Sequence, residues 1–229
     1  LLSHAIQRGK HEYYHLISNA DFPTKSQDEI LAFFDNNRGK EFVSFRFPKN
    51  LWPFNKKPYT TEHKYYHFMT RSLRTGNFFV DKTSYAIEYF LVFLQFIFRV
   101  DRIHGQYIPC KGSNWWSITE DLAEYVLSRK NWIEENFKHT RSSDEIFVSI
   151  LVYNSEFNNR RYEISYDCSN TANQRLIDWN RGFPYLFQVE DYEEIISSGL
   201  PFVRKTDMNK DNGLVKKLYN HILDSRISD

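Results

Sequence analysis

The chain has 229 residues, which is long enough to bury the core of one substantial domain. Hydrophobic residues make up 41% of it and charged residues 26%, as in an ordinary globular protein. Its 30 basic and 29 acidic residues leave a net charge of +1, so no electrostatic argument favours a nucleic-acid-binding or membrane-surface protein.

The two cysteines, Cys110 and Cys168, are far apart and do not form a metal-binding spacing. We interpret them as free thiols in a reducing compartment, with a single disulfide as the alternative. The first ten residues, LLSHAIQRGK, lack the charged start and apolar centre of a signal peptide, so we expect a cytoplasmic protein. They read like the end of a helix without an initiator Met, and we expect the natural N-terminus to lie upstream.

The N-terminal elements predict a layered α/β domain. Residues 12–18 form an aromatic and β-branched run typical of a strand, and a loop closed by Pro23 follows. Ser26 and Glu29 have the spacing of a capping box, which predicts a helix to about Asn36. A second strand is predicted over residues 41–47, and this strand–helix–strand order is typical of α/β folds.

The middle of the chain contains the most apolar run. Residues 48–61 hold three prolines and predict a long surface loop, while residues 62–68 are ambiguous between strand and helix. Residues 85–100 are interrupted by Glu88 and Gln95 and are shorter than the ~20 residues of a membrane-spanning helix. We predict a buried helix there, with a peripheral contact to a membrane surface as the alternative.

The remaining elements alternate between strands and helices. Strands are predicted over 107–110, 175–179, 186–189 and 201–205, and helices over 119–130, 191–198 and 212–225. Rings are frequent, with aromatic residues at 17% of the chain. We expect most of them in the core and some in a binding cleft, because flat amphipathic rings suit sugar faces.

Two adjacent carboxylates open the run from Ser142 to Asn154. Serine and aspartate before an apolar run are a helix start signal, so we predict a helix from about Asp144 with Asp144 as its cap. Glu145 is then free to face a cleft, where apolar surroundings disfavour its charged form and make it a useful base. From this run alone, a plain capping pair is the simpler interpretation.

Four segments, in this order, carry a combined pattern: Tyr14–Pro23 (YHLISNADFP), Gly112–Thr119 (GSNWWSIT), the Ser143-Asp144-Glu145 run, and Pro201–Asp207 (PFVRKTD). Together they resemble the core-2/I-branching β-1,6-N-acetylglucosaminyltransferases and their peptide xylosyltransferase relatives. The resemblance covers nearly the whole chain. It also implies that an earlier βα portion, which helps to hold the nucleotide, precedes the first strand, so a single glycosyltransferase domain over residues 1–229 would lack part of that region.

The resemblance implies a glycosyltransferase-A-like fold, a Rossmann-type α/β sandwich with a mostly parallel central sheet. It implies inverting transfer of a sugar, N-acetylglucosamine above all, from a UDP-sugar donor to a hydroxyl of an acceptor glycan. It also implies a metal-independent reaction, so no metal or other cofactor is expected, and fixed cations would neutralise the departing diphosphate.

The resemblance also implies residue roles. It assigns the general base to Glu145 and the donor diphosphate to Lys205 and Arg204, while Asp21 would lie near the donor sugar or order its loop. Acceptor contacts would come from Trp179 and Glu62, and from Trp115 or Trp116, one of which we expect in the core. A second phosphate-binding arginine has no clear counterpart, and Arg181 is the nearest candidate.

Two alternatives to an acetylglucosaminyltransferase stay open, and the first of them belongs to another functional class. A carbohydrate-binding domain could retain the fold without catalysis, and a xylosyltransferase-like relative would use another donor. A nucleic-acid-binding module is disfavoured by the near-neutral charge.

Overall fold

A computed structural model describes residues 1–45, 61–70, 72–73, 75–102, 105–164 and 170–227. Within these ranges the α-helices are α1 Leu2–Gln7, α2 Gln27–Asn36, α3 Thr61–Lys64, α4 Phe78–Ile97, α5 Glu120–Ser128, α6 Lys130–Phe137, α7 Phe147–Tyr153, α8 Asn170–Asn173, α9 Tyr192–Ser197 and α10 Asn212–Ile227. The strands are β1 Tyr13–His15, β2 Asp21–Pro23, β3 Ser117–Thr119, β4 Arg175–Ile177 and β5 Phe202–Arg204. Cys168 lies outside the described residues, and so does the predicted loop at 48–61 except for Thr61, which begins α3.

The chain forms two compact units. The sheet unit comprises Leu1–Ser44, Trp115–Ala123 and Arg160–Asp229, and the helical unit comprises Phe45–Asn114 and Glu124–Asn159. In the sheet unit β1 pairs antiparallel with β3, and a second sheet has the order β2-β5-β4. Its β2–β5 pair is antiparallel and its β4–β5 pair is parallel. The fold is therefore α/β with mixed sheets, and the prediction of a mostly parallel sheet is not confirmed among the described residues.

The core of the sheet unit is built on the central strand β5. Val203 is fully buried and packs in a cluster with Phe187, Ile195, Leu214 and Leu218, which joins β5 to α9 and α10. On the other side of the strand, Phe202 packs with Phe34 and Phe42. Alternate residues of one short strand thus contribute to two clusters, as the period of a β-strand requires.

Several predicted elements are confirmed. Helix α2 starts at the predicted capping box, in which the Ser26 hydroxyl accepts from the Glu29 N–H and the Glu29 carboxylate accepts from the Ser26 N–H. The helix is followed by Gly39, whose positive φ of 81° is easy for glycine because it has no Cβ. Helices α5, α9 and α10 and strands β1, β4 and β5 also lie within one to three residues of their predicted ends.

Other predictions were wrong. Residues 107–110 and 186–189 form no strand. Within the second of these ranges, the Phe187 N–H donates a hydrogen bond to the Lys205 carbonyl. In the described part of 41–47, Glu41 and Phe42 make single bridges to Arg161 and Ser117 rather than a regular strand. A short apolar run is enough to give the sequence pattern of a strand. A strand also needs neighbouring strands that pair with it along its length, and these runs lack such neighbours among the described residues.

The predicted buried helix of residues 85–100 is α4, but it is not buried. Its inward residues are Ser84, Glu88 and Val92, whereas most of its large apolar side chains face outward. None of the helices formed by the described residues combines the length and apolarity that crossing a membrane requires.

Candidate active site

The run that carries Glu145 begins with a turn instead of a helix cap. Ser143–Glu145 forms a single 3₁₀ turn, and α7 starts only at Phe147. The prediction that Asp144 caps the helix was wrong, because its exposed carboxylate accepts a hydrogen bond from the Asn114 side-chain amide at 3.0 Å instead. Glu145 is therefore presented on a turn ahead of α7.

A cluster of three charged side chains surrounds Glu145 in the helical unit. The Lys111 ammonium lies 2.8 Å from a Glu145 carboxylate oxygen and 2.7 Å from one of Glu62, so one cation bridges two acids. Lys111 and Glu62 are largely buried, whereas the Glu145 side chain is 35% exposed. We call these three residues the bridged triad, and Glu145 is its accessible member.

Burial and charge oppose each other within the bridged triad. Burial raises the pKa of the Glu62 carboxyl above its usual value, although the Lys111 ammonium acts in the other direction. For Lys111, burial lowers the pKa, but the carboxylates of Glu62 and Glu145 outweigh burial and hold the pKa above its usual value. Lys111 therefore remains an ammonium at neutral pH, and it can anchor both acids.

Backbone hydrogen bonds fix this arrangement. The Gly112 N–H donates to the Glu145 carbonyl at 2.7 Å, and the Arg141 N–H donates to the Glu62 carbonyl at 3.3 Å. Because Lys111 and Gly112 are consecutive, one short segment contacts both the side chain and the backbone of Glu145. The second and third sequence segments of the combined pattern thus meet at the predicted base.

Sequence reasoning brought Glu62 and Glu145 forward but missed Lys111. Its position directly before the Gly112-Ser113 motif was the available signal. A lysine in a polar loop has no distinguishing pattern of its own, because its importance depends on two acids that lie 49 and 34 residues away.

A second ion pair lies in the sheet unit, where β2 and β5 are paired. The Asp21 carboxylate is almost fully buried and lies 3.1 Å from the Arg204 guanidinium. Arg204 also donates to the Ser18 hydroxyl, and its guanidinium carbon lies 4.1 Å from the centre of the Trp115 ring. The Ser18 N–H donates to the other Asp21 oxygen. These contacts hold the turn from Ser18 into β2, and a position of Asp21 near the donor sugar stays a prediction.

Lys205, the next residue, has different surroundings. Its backbone is held by the Tyr185 carbonyl and the Phe187 N–H, and the peptide bond between Arg204 and Lys205 is cis. The side chain is half-buried, and among the described residues its ammonium forms no ion pair. Of the two predicted diphosphate ligands, Arg204 is thus paired with Asp21, and Lys205 has no ion-pair partner in the part of the chain that the structure describes.

The three predicted acceptor-side tryptophans have three different environments. Trp116 is buried and is the core member of its pair, while Trp115 is half-buried against Arg204. Trp179, just after β4, is 49% exposed. An exposed ring at the end of a strand is the one of the three that presents a free face.

Two further arginines of the sheet unit are engaged in the fold. Arg175 is fully buried and donates to the carbonyls of Leu16, Trp116 and Asn173 and to the Ser117 hydroxyl. Burial lowers its pKa, with the charge of Asp21 acting in the other direction. It ties β4 to the β1–β3 pair, and sequence reasoning missed it because a lone arginine in a strand has no motif.

Arg181, the candidate for a second phosphate ligand, is surrounded by acids. Its guanidinium forms ion pairs with Asp178, Asp191 and Glu194. Its charge is more than compensated where it stands, so it is a loop anchor in this structure.

Comparison with known proteins identifies a family. A sequence model of the family described as Core-2/I-Branching enzyme matches residues 1–195. No curated protein sequence matches the chain. Among the described residues, no group of three or more His, Cys, Asp and Glu side chains is arranged to hold a metal ion.

Proposed function

Because the chain belongs to the core-2/I-branching enzyme family, which is a glycosyltransferase family, we propose that it transfers a sugar from a UDP-sugar to a hydroxyl of an acceptor glycan. We propose N-acetylglucosamine as the sugar and an inverting single displacement as the mechanism. The observation that carries the proposal is the bridged triad, which leaves the carboxylate of Glu145 anchored on one side and accessible on the other.

In this mechanism Glu145 is the general base. The acceptor hydroxyl oxygen attacks the anomeric carbon, the bond between that carbon and the diphosphate oxygen breaks, and UDP leaves with the bonding electrons. The hydroxyl proton passes to the Glu145 carboxylate. A carboxylate can do this when it is ionised and within hydrogen-bond reach of the hydroxyl. Its ion pair with Lys111 gives the carboxylate a defined orientation.

Lys111 is a positioning residue in this proposal. It touches two carboxylates that belong to the enzyme and has no role in the reacting bonds. Glu62, the expected acceptor-side acid, shares the same ammonium, so a change in the position of one acid alters the electrostatic environment of the other. This shared cation would align an acceptor-contacting group with the base.

On the donor side, Lys205 stabilises the departing diphosphate as a fixed cation. The contrast with Arg204 supports this assignment, because the Arg204 charge is balanced by Asp21 and that of Lys205 is not balanced among the described residues. A cation that is unpaired before the reaction can respond fully to negative charge that develops in the transition state. Turnover would then need no divalent metal.

Trp179 is the acceptor-side ring of the proposal. Its exposed face suits the apolar face of a pyranose ring. The Trp115 ring packs against the Arg204 guanidinium, so it would influence donor binding only through that residue.

The test is a transfer assay with a panel of UDP-sugars and acceptor glycans, in which UDP release is followed. We expect release with one donor, turnover that EDTA does not change, and a kcat lower by about a thousandfold in Glu145→Gln with UDP affinity retained. Asp144→Asn is the matched control, since it changes the adjacent exposed carboxylate, and it should retain most activity.

Two results would overturn parts of the proposal. Full activity in Glu145→Gln would remove the base assignment, and strict dependence on Mn²⁺ would remove the metal-free mechanism. Glycan binding without UDP release from any donor would identify a carbohydrate-binding domain instead.

A further inference from the structure

Helix α4 is amphipathic in the reverse sense to a surface helix. Glu88, on its buried side, accepts from the Met69 N–H and lies 2.6 Å from the His67 ring nitrogen. On the same side, Gln95 exchanges hydrogen bonds with the Tyr66 backbone. Glu88 and Gln95 thus bind the polar side of the helix to the helical unit, and most of its large apolar side chains face outward.

The outward side forms a regular seam. Exposed residues recur at alternating spacings of four and three along the helix: Phe79, Thr83, Ala86, Phe90, Phe93 and Ile97. This is the a/d spacing with which one helix packs along another. None of these residues is charged, and the Thr83 hydroxyl is satisfied by the Phe79 carbonyl at 2.8 Å.

The seam is complementary to itself in one orientation. If two copies pack antiparallel about a two-fold axis between Ala86 and Phe90, each small residue meets a large one. The layers are then Phe79 with Ile97, Thr83 with Phe93, and Ala86 with Phe90, each occurring twice. Parallel packing would instead oppose Phe90 to Phe90 and Ala86 to Ala86, with clashes and gaps alternating.

The exposed area is of the size that a dimer needs. At ~200 Å² for a whole aromatic side chain, the exposed fractions of Phe79, Tyr89, Phe90 and Phe93 (79%, 61%, 59% and 42%) amount to about 500 Å². Val80, Ile87 and Ile97 extend this surface toward the ~800 Å² that each partner contributes to a standard interface. Apolar patches of this size on a protein surface mark binding sites.

Charge distinguishes a protein partner from a lipid bilayer. Between Phe78 and Arg99 the chain has two acids, Asp81 and Glu88, and two bases, Lys82 and Arg99. Helices that lie on membranes are instead rich in lysine and arginine beside the apolar face. We propose that a second copy of this chain covers the seam, through an antiparallel α4–α4 contact in a two-fold symmetric dimer.

Sedimentation velocity over a concentration series tests the dimer. We expect the wild-type protein to dimerise and Phe90→Asp to raise the dimer Kd on the order of a hundredfold, because the substitution places two charges in an apolar interface. Tyr219→Asp is the matched control, as it changes an equally exposed ring on α10, and it should dimerise normally. Circular dichroism would check that each variant is folded.

Two sets of variants test the orientation. Ala86→Phe should weaken the dimer by opposing a second ring to Phe90, and adding Phe90→Ala should restore it. Under mild oxidation, a mixture of Ala86→Cys and Phe90→Cys proteins should give a mixed disulfide dimer, whereas neither variant alone should cross-link through these positions.

A wild-type protein that stays monomeric throughout the series would overturn the proposal, as would a dimer unaffected by Phe90→Asp. Cross-linking of either cysteine variant with itself would overturn the antiparallel orientation. Binding of a monomer to phosphatidylcholine–phosphatidylglycerol vesicles, lost in Phe90→Asp, would assign the seam to a lipid surface instead.

Discussion

The Asp21–Arg204 pair and the bridged triad are both built from buried ion pairs, but they differ in their exposure to solvent. Asp21 pairs with Arg204 and also acts on the buried Arg175, and the other hydrogen bonds of the pair lie within the fold. In the bridged triad one ammonium lies between two acids, and its member Glu145 is partly exposed. A buried pair holds its segment in place, while an accessible member of a charged cluster is available for chemistry.

The same distinction separates the neighbours Arg204 and Lys205. They stand side by side in one sequence motif, yet Arg204 forms an ion pair with Asp21, whereas Lys205 forms none with the described residues. Substitutions on the two sides of this comparison should therefore have different consequences, and we take them from the largest expected effect to the smallest.

Arg204→Ala should mainly destabilise the fold. It leaves the Asp21 carboxylate buried without its cation, which should cost about 3–4 kcal/mol of the free energy of unfolding. Urea denaturation would measure the change. Lys205→Ala, one residue further, should change stability by less than about 0.5 kcal/mol. Equal losses in the two variants would contradict the division between a structural and a functional cation.

The stability of the sheet unit should fall on mild acidification because of His15. Burial, with a smaller contribution from the charge of Arg175, lowers the pKa of His15 to about 4. His15 therefore binds a proton near pH 6.5 in the unfolded chain, but only near pH 4 in the folded chain. The stability is fully present above pH 6.5, and about 3 kcal/mol is lost as the pH falls from 6.5 to 4.

Denaturation curves at several pH values, compared between wild type and His15→Gln, would isolate this contribution. The variant should lose the part of the slope that lies between pH 6.5 and 4. An unchanged slope would mean that His15 is not buried as a neutral ring.

Lys111→Met should affect catalysis more than an ordinary buried substitution does. Without the ammonium, Glu62 and Glu145 repel each other and Glu145 loses its anchor, so kcat should fall about a hundredfold, or ~2.7 kcal/mol in the barrier. The loss should fall on kcat and leave the KM for the donor unchanged, and Lys111→Arg should restore part of the activity. A merely structural lysine would lower stability without a selective loss of kcat.

Lys205→Ala should have the smallest effect, a loss of free energy of binding for the UDP part of the donor. UDP affinity measured by calorimetry should fall about tenfold, which corresponds to ~1.4 kcal/mol. Lys205→Arg should retain most of the affinity because the charge is kept. Wild-type affinity in Lys205→Ala would remove the residue from the donor site.

Much of this organisation could be predicted from local signals. The capping box at Ser26 and the strand at 202–204 depend on neighbours in sequence, and they were recognised. Asp144 was misassigned as a cap because the Asn114 amide, thirty residues away, competes for its carboxylate. Arg175 and Lys111 were missed because their partners come from other segments of the chain.

The prediction that helix α4 is buried was wrong for a related reason. Its hydrophobicity predicted a helix, and the helix is there, but hydrophobicity alone does not say which side faces the protein. Glu88 and Gln95 look like interruptions of an apolar run and are in fact the residues that dock the helix, because the backbone and the His67 ring of the helical unit present hydrogen-bonding groups to them.

The amino-acid sequence by itself determined the α/β class, because that depends on periodicity, and the family, because four short motifs occur in order along the chain. The prediction of Glu145 as the base is what the resemblance to that family implies. The tertiary structure alone decided which charged side chains form ion pairs within the protein and which are accessible. It pairs Arg204 with Asp21, bridges Glu62 and Glu145 with Lys111, and turns the apolar side of α4 outward. Those outcomes depend on contacts between distant segments, where burial sets the strength of each charge and of each apolar surface.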